Sequence, residues 1–160
     1  VNKAFLFFFG WIAATVFAED LDQRQSLVMT ELQRDHIRKE MRALLSGTQN
    51  ILAALSENDM AAVVQHARPL GMNMTHKAEG HLKEILPKEF MKLGMSIHQD
   101  FDQMASDAES LKDSKHTLRQ LSDSMRKCVA CHSSYQIRTT VQQPTSNHLP
   151  GHHRDDEHHK

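Results

Sequence analysis

Positions Ile37, Met41, Leu44, Thr48, Ile51 and Leu55 recur at spacings of 4, 3, 4, 3 and 4. That is one face of an amphipathic helix, and Arg34, Arg38, Lys39, Arg42 and Gln49 fall off it. The pattern predicts a first helix from Leu27 to Leu55, in which Gly47 is the one glycine. Ser56-Glu57-Asn58-Asp59 reads as a turn with capping residues. A second helix follows with Met60, Val63, Val64, Ala67 and Leu70 inward, and Pro69 and Gly71 weaken its end. Residues 72–86 hold no clear period beyond a short helical turn at Leu82, Ile85 and Leu86. Pro87 suits the opening of a third helix. Its stripe is Phe90, Leu93, Ile97, Phe101, Met104, Ala108 and Leu111. Asp113-Ser114 caps a fourth, with Leu118, Leu121, Met125, Cys128, His132 and Tyr135 inward at spacings of 3, 4, 3, 4 and 3. The expected class is all-α.

The two ends have a different character. Lys3 precedes an apolar run, Ala4 to Ala18, of 15 residues. That is short of the ~20 a membrane-spanning helix needs. Val16-Phe17-Ala18 before Glu19-Asp20 fits a secretory signal peptide over residues 1–18, cleaved after Ala18, so no stable membrane anchor is expected after cleavage. Residues 19–141 form the expected folded domain. Residues 142–160 are polar, lack an apolar period, and read as a disordered His-rich tail. The tail histidines, His148, His152, His153, His158 and His159, suit weak capture of a divalent metal.

Composition narrows the function classes. With 19 basic and 20 acidic residues among 160, the formal net charge is -1, and no basic excess points to nucleic acid. Gly numbers 6 and Pro 4, too little turn punctuation for a β-sandwich or barrel. There are only 2 cysteines, and export would carry them into an oxidising compartment, the periplasm in this reading, where a thiol pair needs a role.

The chemistry sits in Cys128-Val129-Ala130-Cys131-His132. This is the C-x-x-C-H pattern of covalent c-type haem attachment. Thiols at i and i+3 of a helix project to one side, within reach of the two vinyl groups on one porphyrin edge. Histidine at i+4 shares that face and offers its imidazole to the iron as the proximal ligand. The competing readings fit less well. A thioredoxin-like pair needs a βαβ context. Zinc needs two more ligands at suitable spacing. A disulfide between i and i+3 of a helix has poor geometry.

With these residues in view, the chain resembles the class II cytochromes c, the cytochrome c-prime and cytochrome c556 type. The stretch Arg126 to Tyr135 is similar to that family's signature, including an aromatic, Tyr135, three residues after the histidine. The usual basic residue after the aromatic is Gln136 here, and Arg138 is the nearest cation. The resemblance covers roughly residues 24–141. It implies an antiparallel four-helix bundle with one covalent haem on the C-terminal helix, and pairing into homodimers. It also implies that the sixth iron position faces the first helix, where Met41 is most similar to the family's residue. A methionine ligand there gives a low-spin electron carrier served by redox partner proteins. An open site gives a five-coordinate protein that binds nitric oxide or carbon monoxide.

Both readings stay open at this level. Met41 also fits plain core filling. His36, His66, His81 and His98 compete as ligands, and Met72, Met74 and Met95 have no stripe to favour them. A small peroxidase is a third reading, with His36 the only first-helix acid–base candidate. Arg24, Arg34, Arg38, Lys39 and Arg42 on the first helix, with Arg119, Arg126 and Lys127 on the last, are a candidate basic rim for steering a redox partner.

Overall fold

A short strand stands at each end of the described residues, and the helices lie between them. The computed structural model describes residues 22–77 and 82–140. The chain is mainly helical, with helices α1 Glu31–Ser56, α2 Met60–Ala67, α3 Lys88–Ser110 and α4 Ser114–Ser134. Two 3₁₀ turns, Arg68–Leu70 and Met72–Lys77, connect α2 towards α3. Strands β1 Gln25–Met29 and β2 Tyr135–Thr139 pair in parallel, with Leu27 opposite Ile137. The expected signal peptide and His-rich tail lie outside the described residues.

The strands correct the all-α expectation. Leu27 and Met29 are buried while Ser26 before them and Val28 between them are exposed, a period of 2 rather than 3.6. The first helix therefore starts four residues later than its apolar run suggests. A capping box sets that start. The Thr30 hydroxyl accepts from the Gln33 amide at 3.3 Å, and the Gln33 side chain accepts from the Thr30 amide at 2.9 Å. At the other end Tyr135 leaves helical geometry and opens β2, so it is not on the α4 stripe.

Inside the helices the pattern holds. Ile37, Leu44 and Ile51 of α1 are buried, as are Met60, Val63 and Ala67 of α2 and Ile97, Phe101, Met104 and Ala108 of α3. Leu111, expected inward, is exposed, because it falls at the end of α3 where the chain turns away. The turn over residues 56–59 closes with Asn58 in the left-handed region at φ 54, and the Asp59 carboxylate accepts from the Ala62 amide at 2.9 Å. Asp113 caps α4 through the Lys115 and His116 amides, at 2.9 and 3.0 Å.

α4 departs most from its predicted face. Its buried residues are Thr117, Leu121 and Ser124, whereas Leu118 and Met125 are 49% and 45% exposed. α4 packs closely along α3 but touches α1 over little of its length. Leu118 and Met125 consequently line an apolar groove of about 580 Å³ together with Leu52 of α1 and Val129. The buried stripe of α4 carries small polar groups, so hydrophobicity alone points to the wrong side. Thr117 satisfies its hydroxyl on the Asp113 carbonyl at 3.1 Å.

α1 and the turn after α2 approach closely at Gly47. A Cβ built on Gly47 would stand 2.3 Å from Leu70 Cδ1, and Leu70 is buried. Gly47→Ala would gain about 1 kcal/mol of helix propensity. Forcing Leu70 aside costs about 1–3 kcal/mol by overpacking. Gly47→Ala is therefore expected to lower stability in urea unfolding, and adding Leu70→Ala to it to cost less than Leu70→Ala costs alone. Additive losses would contradict the close contact.

Candidate functional site: a cavity between α1, α3 and α4

Where α1 and α4 stand apart, a cavity of about 370 Å³ opens between them, with α3 as its floor. Cys128, Cys131 and His132 line it from α4, and Met41 lines it from α1. The two attachment candidates and the two foremost ligand candidates from the sequence thus line one cavity. The remaining walls are largely apolar, with Leu44 and Leu45 from α1 and Phe90, Ile97 and Phe101 from α3. Gly94 opens the α3 wall, for a Cβ there would meet nothing within 4 Å.

The helical spacing explains the α4 wall. Thr117, Leu121, Ser124, Cys128 and Cys131 follow one another at 4, 3, 4 and 3 residues. The first three are buried against the bundle, and the stripe then runs out into the cavity, where both cysteines are half-buried free thiols. Cys128 donates to the Ser124 carbonyl at 3.6 Å. Burial pushes both thiols above their ordinary value, and the nearby Asp100 carboxylate adds to this for Cys128. They are thus held in the protonated form at neutral pH. Lys127 anchors this turn of α4 to α3 through the Asp100 carboxylate, at 2.6 and 2.7 Å.

The end of α4 is held by the N-terminal segment. Arg24 donates to the His132 carbonyl at 3.2 Å, and Gln136 donates to the Arg24 carbonyl at 3.1 Å. Arg24 also grips Asp22, and these hydrogen bonds draw the Asp22 carboxyl down to about 2. Arg24 therefore sits ahead of β1 and not on the basic face of the first helix. The His132 residue is exposed in the last turn of α4. Tyr135 does not line the cavity. Its ring meets Phe90 edge-on, with centroids 5.2 Å apart, and so supports the α3 wall from behind.

The competing ligands separate on geometry. His98 lines the cavity and is 3% exposed. Both of its ring nitrogens are engaged, Nδ1 with the Leu70 carbonyl at 2.6 Å and Nε2 with the Glu40 carboxylate at 2.9 Å. It has no nitrogen left for a metal. His36, His66, Met72, Met74 and Met95 do not line this cavity, and His81 lies outside the described residues. No group of three or more His, Cys, Asp or Glu among the described residues is placed to hold a metal ion. Two thiols and an imidazole on one helix face, a thioether opposite and apolar walls make a donor set suited to a covalently held metal macrocycle.

Sequence reasoning missed the Glu40–His98 pair. Its two residues are 58 positions apart, and only the packing of α1 on α3 joins them. Burial alone would lower the His98 value, but the Glu40 carboxylate and the Leu70 carbonyl outweigh it and the net direction is upward. A folded value above the unfolded one stabilises fully below histidine's ordinary range, about pH 6.5, and that contribution is lost as pH rises through the folded value. Urea unfolding between about pH 6 and about pH 8 is expected to show falling stability. His98→Gln should cost about 3 kcal/mol at the acidic end and flatten the decline. An unchanged slope in the variant would contradict the assignment.

No protein-family profile matches the chain, and no curated protein or solved structure matches it significantly.

Proposed function

We propose that the chain is an exported, periplasmic monohaem cytochrome of the class II c type. In this reading it is an antiparallel four-helix bundle that carries the haem on α4 and exchanges single electrons with redox partner proteins. One observation carries the reading: the C-x-x-C-H residues of α4 and Met41 of α1 line the same largely apolar cavity. The haem supplies a one-electron iron couple. The chain's residues do the rest. Cys128 and Cys131 would hold the macrocycle as thioethers, His132 would ligate the iron from α4, and Met41 would offer its thioether from the opposite wall.

The surroundings of each group support its role. The Lys127–Asp100 ion pair and the Arg24 clasp fix α4 on either side of the motif. Such fixation matters because an axial ligand tunes a metal through its orientation. Met41 packs against both buried clusters of the protein, which limits its movement. The apolar walls exclude water, and a thioether with burial favours the reduced iron and raises the potential. Export rests on the apolar N-terminal run and on the use of the only two cysteines in one motif.

The test is an optical spectrum of the purified holoprotein, ferric and dithionite-reduced, with and without carbon monoxide. The expected spectrum is low-spin in both states and unchanged by the gas. Met41→Ala should convert it to a high-spin form that takes up carbon monoxide. A wild-type protein that is high-spin and shifts with the gas would remove Met41 as a ligand and favour the gas-binding reading.

A further inference from the structure

The charges around the cavity are unevenly committed. Glu40, the one carboxylate in its wall among the described residues, is matched by His98 at 2.9 Å. Arg34 is paired with Glu31, Lys39 with Asp35, Arg126 with Asp123 and Lys127 with Asp100. Arg42 differs on two counts. It is the only lysine or arginine lining the cavity among the described residues, and no hydrogen bond or close ion pair holds it there, although its charge is felt by the Asp35 carboxylate. It is also exposed, and it lines the cavity from α1, the helix facing the cysteines.

We infer that Arg42 binds a carboxylate of the cavity's occupant, one of the two propionates of haem, and thereby sets the direction of the macrocycle's polar edge. The inference rests on the haem reading above. Its chemistry follows from the shape of the ligand. The cysteines take the edge of the ring that bears the vinyl groups, and the propionates stand on the edge away from them. A carboxylate brought to an apolar wall loses hydration and needs a charged partner. A guanidinium answers this best, because its fork matches a carboxylate with two parallel hydrogen bonds. The Glu40 carboxylate is already turned to His98 Nε2 at 2.9 Å, so Arg42 is left for the ligand. Arg42 follows Met41 directly, so one turn of α1 supplies the axial thioether and the polar anchor together.

The experiment compares holoproteins of wild type, Arg42→Leu, Arg42→Lys and Arg38→Leu. Arg38 is one turn earlier on α1, exposed, and does not line the cavity, so it controls for loss of charge alone. Two quantities are read: the reduction potential, and the propionate bending band in the resonance Raman spectrum. Removing a cation beside the iron favours the more positive ferric state. Arg42→Leu should therefore lower the potential and shift the band. Arg42→Lys should restore the potential and leave the band displaced, because lysine keeps the charge without the fork. Arg38→Leu should change neither. An unshifted band in Arg42→Leu, or an equal fall in potential in Arg38→Leu, overturns the inference while leaving the haem reading intact. A wild-type protein without covalent haem overturns both.

Discussion

The unequal packing of α4 is the constraint on which the rest of the structure depends. It lies close along α3 and meets α1 over little of its length. A helix in the middle of a tight bundle would bury its inward face completely, and nothing the size of a cofactor would fit beside it. Here the face splits. Thr117, Leu121 and Ser124 pack into the bundle, and one or two turns later Cys128 and Cys131 come out on the same stripe into a cavity. The small polar residues allow α4 to lie close on α3. The gap towards α1 leaves the thiols accessible and places Met41 across from them.

Both ends of that arrangement are tied. The parallel β1–β2 ladder joins the entry to α1 and the exit from α4, so the two helices that flank the cavity are held together beyond it. Arg24 closes on the His132 carbonyl, and Lys127 fastens α4 to α3 one residue before Cys128. On the far wall the Glu40–His98 pair fixes the turn of α1 that also bears Met41 and Arg42. A buried pair of this kind adds little net stability, but it admits few alternative packings. The candidate site is thus positioned by polar contacts, while the bulk of the stabilisation comes from the apolar cluster around Ile51, Val63, Phe101 and Met104.

Much of this was legible in the sequence, for reasons that differ by element. α1, α2 and α3 show their faces because Ile, Leu, Phe and Met recur at helical spacing against a charged background. Cys128, Cys131 and His132 were legible because fixed spacing on a helix implies a shared face, whereas Met41 was reached through the family resemblance and its place on the α1 stripe. The strands were hidden. Leu27-Val28-Met29 is apolar throughout and merges with the helical run behind it, and the alternation in Tyr135-Gln136-Ile137-Arg138 was overlooked beside the motif. The packed side of α4 was hidden because it uses Thr117 and Ser124, while the more apolar Leu118 and Met125 face a groove. The Glu40–His98 pair and the place of Arg42 in the cavity wall depend on which helices meet, which no local pattern records.

In the proposed function the thiols of α4 hold a haem covalently. The most direct measurement is the intact mass of the protein, produced with a haem-attachment system and extracted with acidified acetone. Thioether bonds survive that extraction, whereas a haem held only by axial ligands is washed away. The expected chain keeps the mass of one haem and loses it when both Cys128 and Cys131 are replaced by alanine. A wild-type chain at the bare polypeptide mass, or a haem retained without the two cysteines, would contradict it.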